Sequence, residues 1–262
     1  MIPYKDDNPT DKLPIFTISL IIINVLLWLF FRFQGELVYE KAVFEFGMIP
    51  YEVWKGVNLS FANFLARQVE LFPQLNLTNI ALPDFPGQIS PYLSIFSSMF
   101  MHGGFMHLAG NMLYLWIFGN NIEDYLGHIK FLVFYLFCGL FAGFAHLVFN
   151  PGSQIPTVGA SGAISGVLGA YLILYPRARV YVLVPIFYYF TTLVLPAGVL
   201  LFFWFIFQFL SAIPSTMLEG GGVAYWAHIG GFVVGLALIW AWKRKHPVRR
   251  GYGFGYKPYR RF

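Results

Sequence analysis

Long apolar runs separated by short polar breaks dominate this chain. A helix needs about 20 mostly apolar residues to cross a bilayer, and residues 13–33 form the first such run. A polar, proline-bearing stretch follows over residues 34–90, and the apolar patch inside it at residues 61–65 is too short to span and reads as interfacial. Runs over residues 105–119, 129–149 and 161–175 predict the second, third and fourth spans, the last stopped by Pro176. Residues 180–212 are too many for one straight helix, and Pro185 and Pro196 divide them, which places the fifth span at residues 196–212. Residues 222–242 supply the sixth. The expected fold class is an all-α polytopic membrane protein with six transmembrane helices. It divides into residues 1–12, a membrane domain over 13–242 with a long outer loop at about 34–90, and a basic tail over 243–262.

Composition agrees with the pattern. Of 262 residues, 58% are hydrophobic and only 11% charged, against about 25% charged in a soluble domain, so a water-facing surface could not be covered. The single cysteine, Cys138, excludes an intramolecular disulfide and a cysteine-based zinc site and reads as packing. Asp6, Asp7 and Asp11 precede the first apolar run, which is therefore read as a retained span and not a cleaved signal. Six spans put both termini on one side. Thirteen basic residues, eight of them in the tail, fall on that side and only Arg32, Lys41, Lys55 and Arg67 on the other, so both termini are expected in the cytoplasm. Because the tail directly follows a span, anionic lipid headgroups are its expected partners, not nucleic acid.

Polar side chains inside membrane helices are costly and mark function. Away from loops and helix ends the chain has His102, His107, Asn111, His146, Ser161, Ser165, Gln208 and His228. Four of them share a depth. Ser161 lies about 22 Å from the inner end of its short helix, His228 about 22 Å above Lys243, and Asn111 and His107 about 18 and 24 Å above Glu123. Glycines at 159, 162, 166 and 169 line the fourth helix, and Gly230, Gly231 and Gly235 the sixth. Small residues let membrane helices touch, and packing these two stripes together brings the Ser161 hydroxyl towards the His228 imidazole.

A serine hydroxyl becomes a nucleophile when a base takes its proton, and histidine is the usual base. Ser161 begins a helix, where free N–H groups favour a developing anion, and Asn111 and His107 can donate to that anion. With no carboxylate at this depth, the sequence predicts a Ser161–His228 dyad whose imidazole is oriented by packing. His146 reads as interfacial and Gln208 as interhelical glue. A transporter using the polar layer is the rival from another class, although the layer lacks an acid to balance a cation. His102 and His107, five apart, do not have the spacing of a helical zinc pair, and no metal or cofactor is expected. A scaffold would leave the polar layer unexplained.

Gly159-Ala160-Ser161-Gly162 resembles the G-x-S-G serine motif of the rhomboid intramembrane proteases. His102, His107 and Asn111, read as H-x4-H-x3-N, resemble the family's second-helix motif, and Ala227-His228-Ile229-Gly230-Gly231 with Gly235 resembles its sixth-helix motif. Tyr175-Pro176-Arg177-Ala178-Arg179-Val180 resembles a run common in prokaryotic six-helix members. The resemblance implies a rhomboid-like fold and an intramembrane serine endopeptidase, with Ser161 as nucleophile and His228 as general base. Asn111, His107 and the Ser161 amide would form the oxyanion hole. His102, Gly159 and Gly162 would support the site, with His102 packing at the mouth of the second helix, and Glu123 would fill a structural acidic position. It also implies single-pass transmembrane substrates cut near the outer end of their helix, access gated by the fifth helix, and a prokaryotic cytoplasmic membrane. A catalytically inactive, helix-binding relative stays open as an alternative. Many members carry tyrosine four residues after the serine, where this chain has Ser165, and the Trp-Arg pair that some carry in the long loop is absent.

The topology is tested by cysteine labelling from outside. Single cysteines placed in residues 150–157 are expected to react and those in 243–262 to be protected. The reverse pattern overturns the assignment.

Overall fold

The computed structural model describes residues 2–71, 89–215 and 223–246. A short strand β1 (Ile2–Asp6) leads to α1 (Ile15–Arg32). The long loop folds into α2 (Glu36–Phe46), α3 (Pro50–Lys55) and α4 (Phe61–Leu71), so the patch at residues 61–65 opens a helix, while residues 72–88 lie outside the described residues. Next come α5 (Pro91–Ser97), a 3-10 turn at Ser98–Phe100, and α6 (Phe105–Tyr114), which runs through a π turn (Leu115–Gly119) into α7 (Asn120–Leu126). The second apolar run is therefore a longer helical path than the 105–119 expected. Then follow α8 (His128–Phe149), α9 (Ser161–Leu174), strands β2 (Arg179–Ile186) and β3 (Tyr189–Pro196), α10 (Ala197–Ser215) and α11 (Tyr225–Lys245).

The protein is mostly helical, but not all-α. Strands β1, β2 and β3 form one antiparallel sheet in that order, with Val180 opposite Asp6 and Leu195. The alternation Arg179-Val180-Tyr181-Val182-Leu183 has the period of a half-buried strand, with Val180 and Val182 in the core and Tyr181 and Leu183 outward. The apolar pattern left residues 180–195 without an element, although they carry a two-residue period that β-branched residues support.

Among the described residues, four helices are long and apolar enough to cross a membrane: α1, α8, α10 (Ala197–Pro214 of it) and α11. Helix α9 is apolar but has only 14 residues, about 21 Å of rise, and α6–α7 is interrupted by its π turn. The sixth apolar helix runs from Tyr225 to Lys245, where 222–242 was expected; Val223 and Ala224 precede it, and Gly222 lies outside the described residues. The expected tail is described only to His246.

Helices α8, α9 and α11 meet at glycines. An added Cβ on Gly231 would lie 2.0 Å from the Gly162 carbonyl oxygen, and one on Gly235 2.1 Å from that of Gly166. Cys138 of α8 sits buried and free against Gly166. With lipid on the outside, helices gain little by hiding apolar surface from it, and association rests on close van der Waals contact.

Charged and polar groups pin the opposite end. Glu123 is fully buried and caps α1 from a distance, its carboxylate accepting from the Phe16 and Thr17 amides at 2.9 and 2.8 Å and from the Thr17 hydroxyl at 2.7 Å. His128 Nδ1 lies 2.6 Å from the same carboxylate. These bonds satisfy amides that begin a helix without an intrahelical partner. Nearby, Asp6 accepts from the Tyr171 hydroxyl at 2.6 Å and the Asn121 amide at 3.0 Å. Burial pushes its carboxyl up to about 6, against the opposing pull of those two donors.

Gly231→Ala tests the helix contact. The added carbon must separate α9 from α11, and the variant is expected to lose about 1–3 kcal/mol and to unfold at lower temperature in detergent. Gly110→Ala, where no atom lies within 4 Å of the added carbon, is the control and should not lose stability. Equal midpoints for the two variants contradict the proposed importance of this contact.

Candidate active site

Ser161 is the first residue of α9, and the chain before it is fixed by two features. The Gly159 N–H donates to the Ser98 carbonyl at 2.9 Å, tying the approach to the 3-10 turn. Gly159 also has φ +126°, a backbone state that other residues rarely adopt. At this point α9 lies against α11, and His228 stands one turn into α11.

The Ser161 hydroxyl lies 2.8 Å from His228 Nε2, the geometry of an O–H donating to an imidazole nitrogen. These groups are 67 residues apart in the chain, joined by the glycine contact that the two stripes suggested. On the other face of the ring, His228 Nδ1 lies 2.9 Å from Gln208 Oε1 on α10. Trp204, one turn earlier on α10, faces the ring at 6.1 Å, and Tyr225 meets it edge-on at 6.4 Å. The expectation that packing alone orients the imidazole is thus corrected: a hydrogen bond from α10 does so too. Gln208 stood out in the sequence as a polar residue in a span, but no spacing rule links it to a histidine 20 positions later.

His107 and Asn111, one turn apart on α6, flank the serine approach. A Cβ on Gly159 would lie 2.7 Å from His107 Nε2 and 3.5 Å from Asn111 Nδ2, so only a hydrogen at that position leaves both side chains beside the backbone two residues before Ser161. The Gly103 amide donates to His107 Nδ1 over a long 3.4 Å, which leaves the ring proton on Nε2, the nitrogen facing Gly159. Asn111 Nδ2 is buried with no hydrogen-bond partner among the described residues. A buried donor without an acceptor is costly, and here two donors converge on one place.

The remaining sequence candidates fall around this centre. Gly162 is where α9 meets Ala142 of α8 and Gly231 of α11. His102 is buried, its ring edge-on to His107 at 5.2 Å and its backbone carbonyl accepting from the Tyr39 hydroxyl. Ser165 turns back along α9 and donates to the Ser161 carbonyl at 2.6 Å, away from His228. His146 Nε2 lies 3.1 Å from the Thr157 hydroxyl and holds the loop of residues 150–157 to the end of α8.

Several apolar helices of membrane-crossing length and a half-buried, hydrogen-bonded serine–histidine pair define a multi-pass membrane protein with an enzyme-like centre. A profile of the Rhomboid domain matches residues 90–245, and the chain belongs to the rhomboid family. It is 30% identical over 161 residues to rhomboid protein 1, mitochondrial, of Saccharomyces cerevisiae, covering 58% of this chain and 42% of that one. It is 30% identical over 164 residues to the human presenilin-associated rhomboid-like protein, mitochondrial (58% and 39%). Over 72 residues it is 46% identical to the rhomboid protease GluP of Bacillus subtilis (28% and 14%). The chain thus spans less than half the length of each of these relatives. The family has protease members, and the relatives are mitochondrial as well as bacterial, so they do not favour the prokaryotic membrane expected from the sequence.

Gly159→Ala probes the pocket. The methyl group strains the backbone and displaces His107. Covalent labelling of Ser161 by a serine-directed fluorophosphonate is expected to slow by roughly tenfold, equivalent to about 1.4 kcal/mol. An unchanged labelling rate would show that the His107 side of the pocket has no bearing on Ser161.

Proposed function

We propose that the protein is an intramembrane serine endopeptidase that hydrolyses peptide bonds in or near the transmembrane segments of single-pass membrane proteins. The observation that carries this reading is the 2.8 Å approach of the Ser161 hydroxyl to His228 Nε2. His228 takes the hydroxyl proton as Ser161 attacks the scissile carbonyl, and returns it to the leaving amine. Water then enters by the same route and hydrolyses the acyl-serine. The developing oxyanion sits beside the start of α9, where the Ser161 amide, His107 Nε2 and Asn111 Nδ2 donate to it. An unsatisfied Asn111 amide in the resting protein supports that role, because its acceptor arrives only with the transition state.

In this reading the chain crosses the membrane six times, with α6–α7 and the short α9 joining the four longer helices, and both termini are cytoplasmic. Short α9 leaves Ser161 below the outer surface, and hydrolysis requires water to reach it at that depth. No metal or cofactor is needed for these steps. Lipids contact the outward aromatic faces, and nucleic acid has no part.

The test is cleavage of a single-pass substrate by purified protein in liposomes. The unaltered protein is expected to cleave and Ser161→Ala and His228→Ala to be inactive while still folded. Asn111→Ala should lower kcat by roughly 100-fold with little change in KM, since the oxyanion exists only in the transition state. Cleavage by Ser161→Ala would overturn the mechanism. An equal change in both constants would remove Asn111 from the oxyanion site. No cleavage of any of several substrates by the unaltered protein would favour a catalytically inactive, helix-binding relative.

A further inference from the structure

Nothing in the reaction so far explains why His228 should hold its proton on one nitrogen and not the other. A neutral imidazole has one N–H and one lone pair. Only the form with its proton on Nδ1 leaves Nε2 free to accept from Ser161. In soluble hydrolases a carboxylate behind the histidine settles the choice, and no carboxylate contacts His228 among the described residues.

We propose that Gln208 on α10 is the positioning residue that fixes His228 in its base-competent form, its side-chain carbonyl accepting the Nδ1 proton so that Nε2 stays available to Ser161. The proposal rests on the serine-protease reading of the site. Gln208 is buried, 6% exposed, in a helix whose neighbours Phe203, Phe207, Phe209 and Leu210 face outward. Such an amide in a membrane helix is retained at a cost, and its carbonyl meets His228 Nδ1 at 2.9 Å. Trp204 lies one turn away on the same face and walls the ring at 6.1 Å. The support does not come from α9, because Ser165 at the next turn after the nucleophile bonds backward to the Ser161 carbonyl. The catalytic base is therefore held by α10, and a displacement of α10 that breaks the Gln208 bond releases His228 from its working tautomer.

Four proteins and two readouts test this. In the liposome assay, Gln208→Leu, close in shape but without an acceptor, is expected to lower kcat by about tenfold or more with KM unchanged. Gln208→Glu, whose carboxylate accepts the same hydrogen bond, should recover most of that loss. An unaffected kcat in Gln208→Leu overturns the proposal, and so does a loss that Gln208→Glu does not recover, which would mark a packing role. Separately, 15N spectra of imidazole-labelled protein, with the His228 signals assigned by their disappearance in His228→Asn, report the tautomer at a pH where the ring is neutral. Protonated Nδ1 in the unaltered protein and a shift towards protonated Nε2 in Gln208→Leu support the proposal; the same tautomer in both refutes it. This second readout needs no turnover. Should the unaltered protein cleave nothing, the protease reading fails while the spectra still decide the role of Gln208.

Discussion

The near-contact of backbones between α9 and α11 is the constraint on which the site depends. The Ser161 hydroxyl and the His228 imidazole are short of reach, and a hydrogen bond tolerates only a few tenths of an ångström of excess distance. Side chains of ordinary size between the two helices would hold their axes 8–10 Å apart, roughly the usual packing distance, and leave the pair too far apart. With glycine at 162, 166, 231 and 235, carbonyl oxygens of one helix occupy the space where Cβ atoms of the other would stand. One structural choice thus supplies both cohesion in a solvent that offers no hydrophobic drive and the register of the reactive pair.

The opposite end of the bundle explains how such a site can stay rigid while its own surroundings are unsatisfied. There Glu123 receives two amides, a hydroxyl and the His128 ring, and Asp6 receives Tyr171 and Asn121. These bonds tie α1, β1, α7 and α9 into one unit. At the other end of α9, by contrast, donors converge where no acceptor stands, around Gly159, His107 and Asn111. A hydrogen-bonded floor and a pocket with an unpartnered donor on the same short helix suit preorganised electrostatic stabilisation, since the donors must already be in place when charge develops.

The third element at the site, α10, differs in character from the other two. Its outward residues are large aromatics and its inward face offers Trp204, Phe205 and Gln208 to α11. Phe205 stacks on Phe232 at 4.7 Å. Packing through flexible side chains, where α9 and α11 pack through backbones, makes this the contact that can yield at least cost. Tautomer control by Gln208 would then lie on the most adjustable wall of the site.

Much was legible in the sequence because its cause is local. The apolar runs fixed where α1, α8, α9 and α10 lie to within a few residues, since the cost of unpaired backbone groups in hydrocarbon leaves few alternatives to a helix. The glycine spacing and the G-A-S-G, A-H-I-G-G and H-x4-H-x3-N patterns singled out Ser161, His228, His107 and Asn111 before any distance was known. The sheet was missed because residues 179–196 are as apolar as a span and differ from one only in period; β2 and β3 pair with each other as a hairpin, and β1 joins them from the far end of the chain. The Ser161–His228 distance, the bonds from Phe16 and Thr17 to Glu123, and the meeting of Gln208 with Nδ1 were decided by tertiary structure alone. Each depends on the relative rotation and depth of helices far apart in the chain, which no period or motif within one segment specifies.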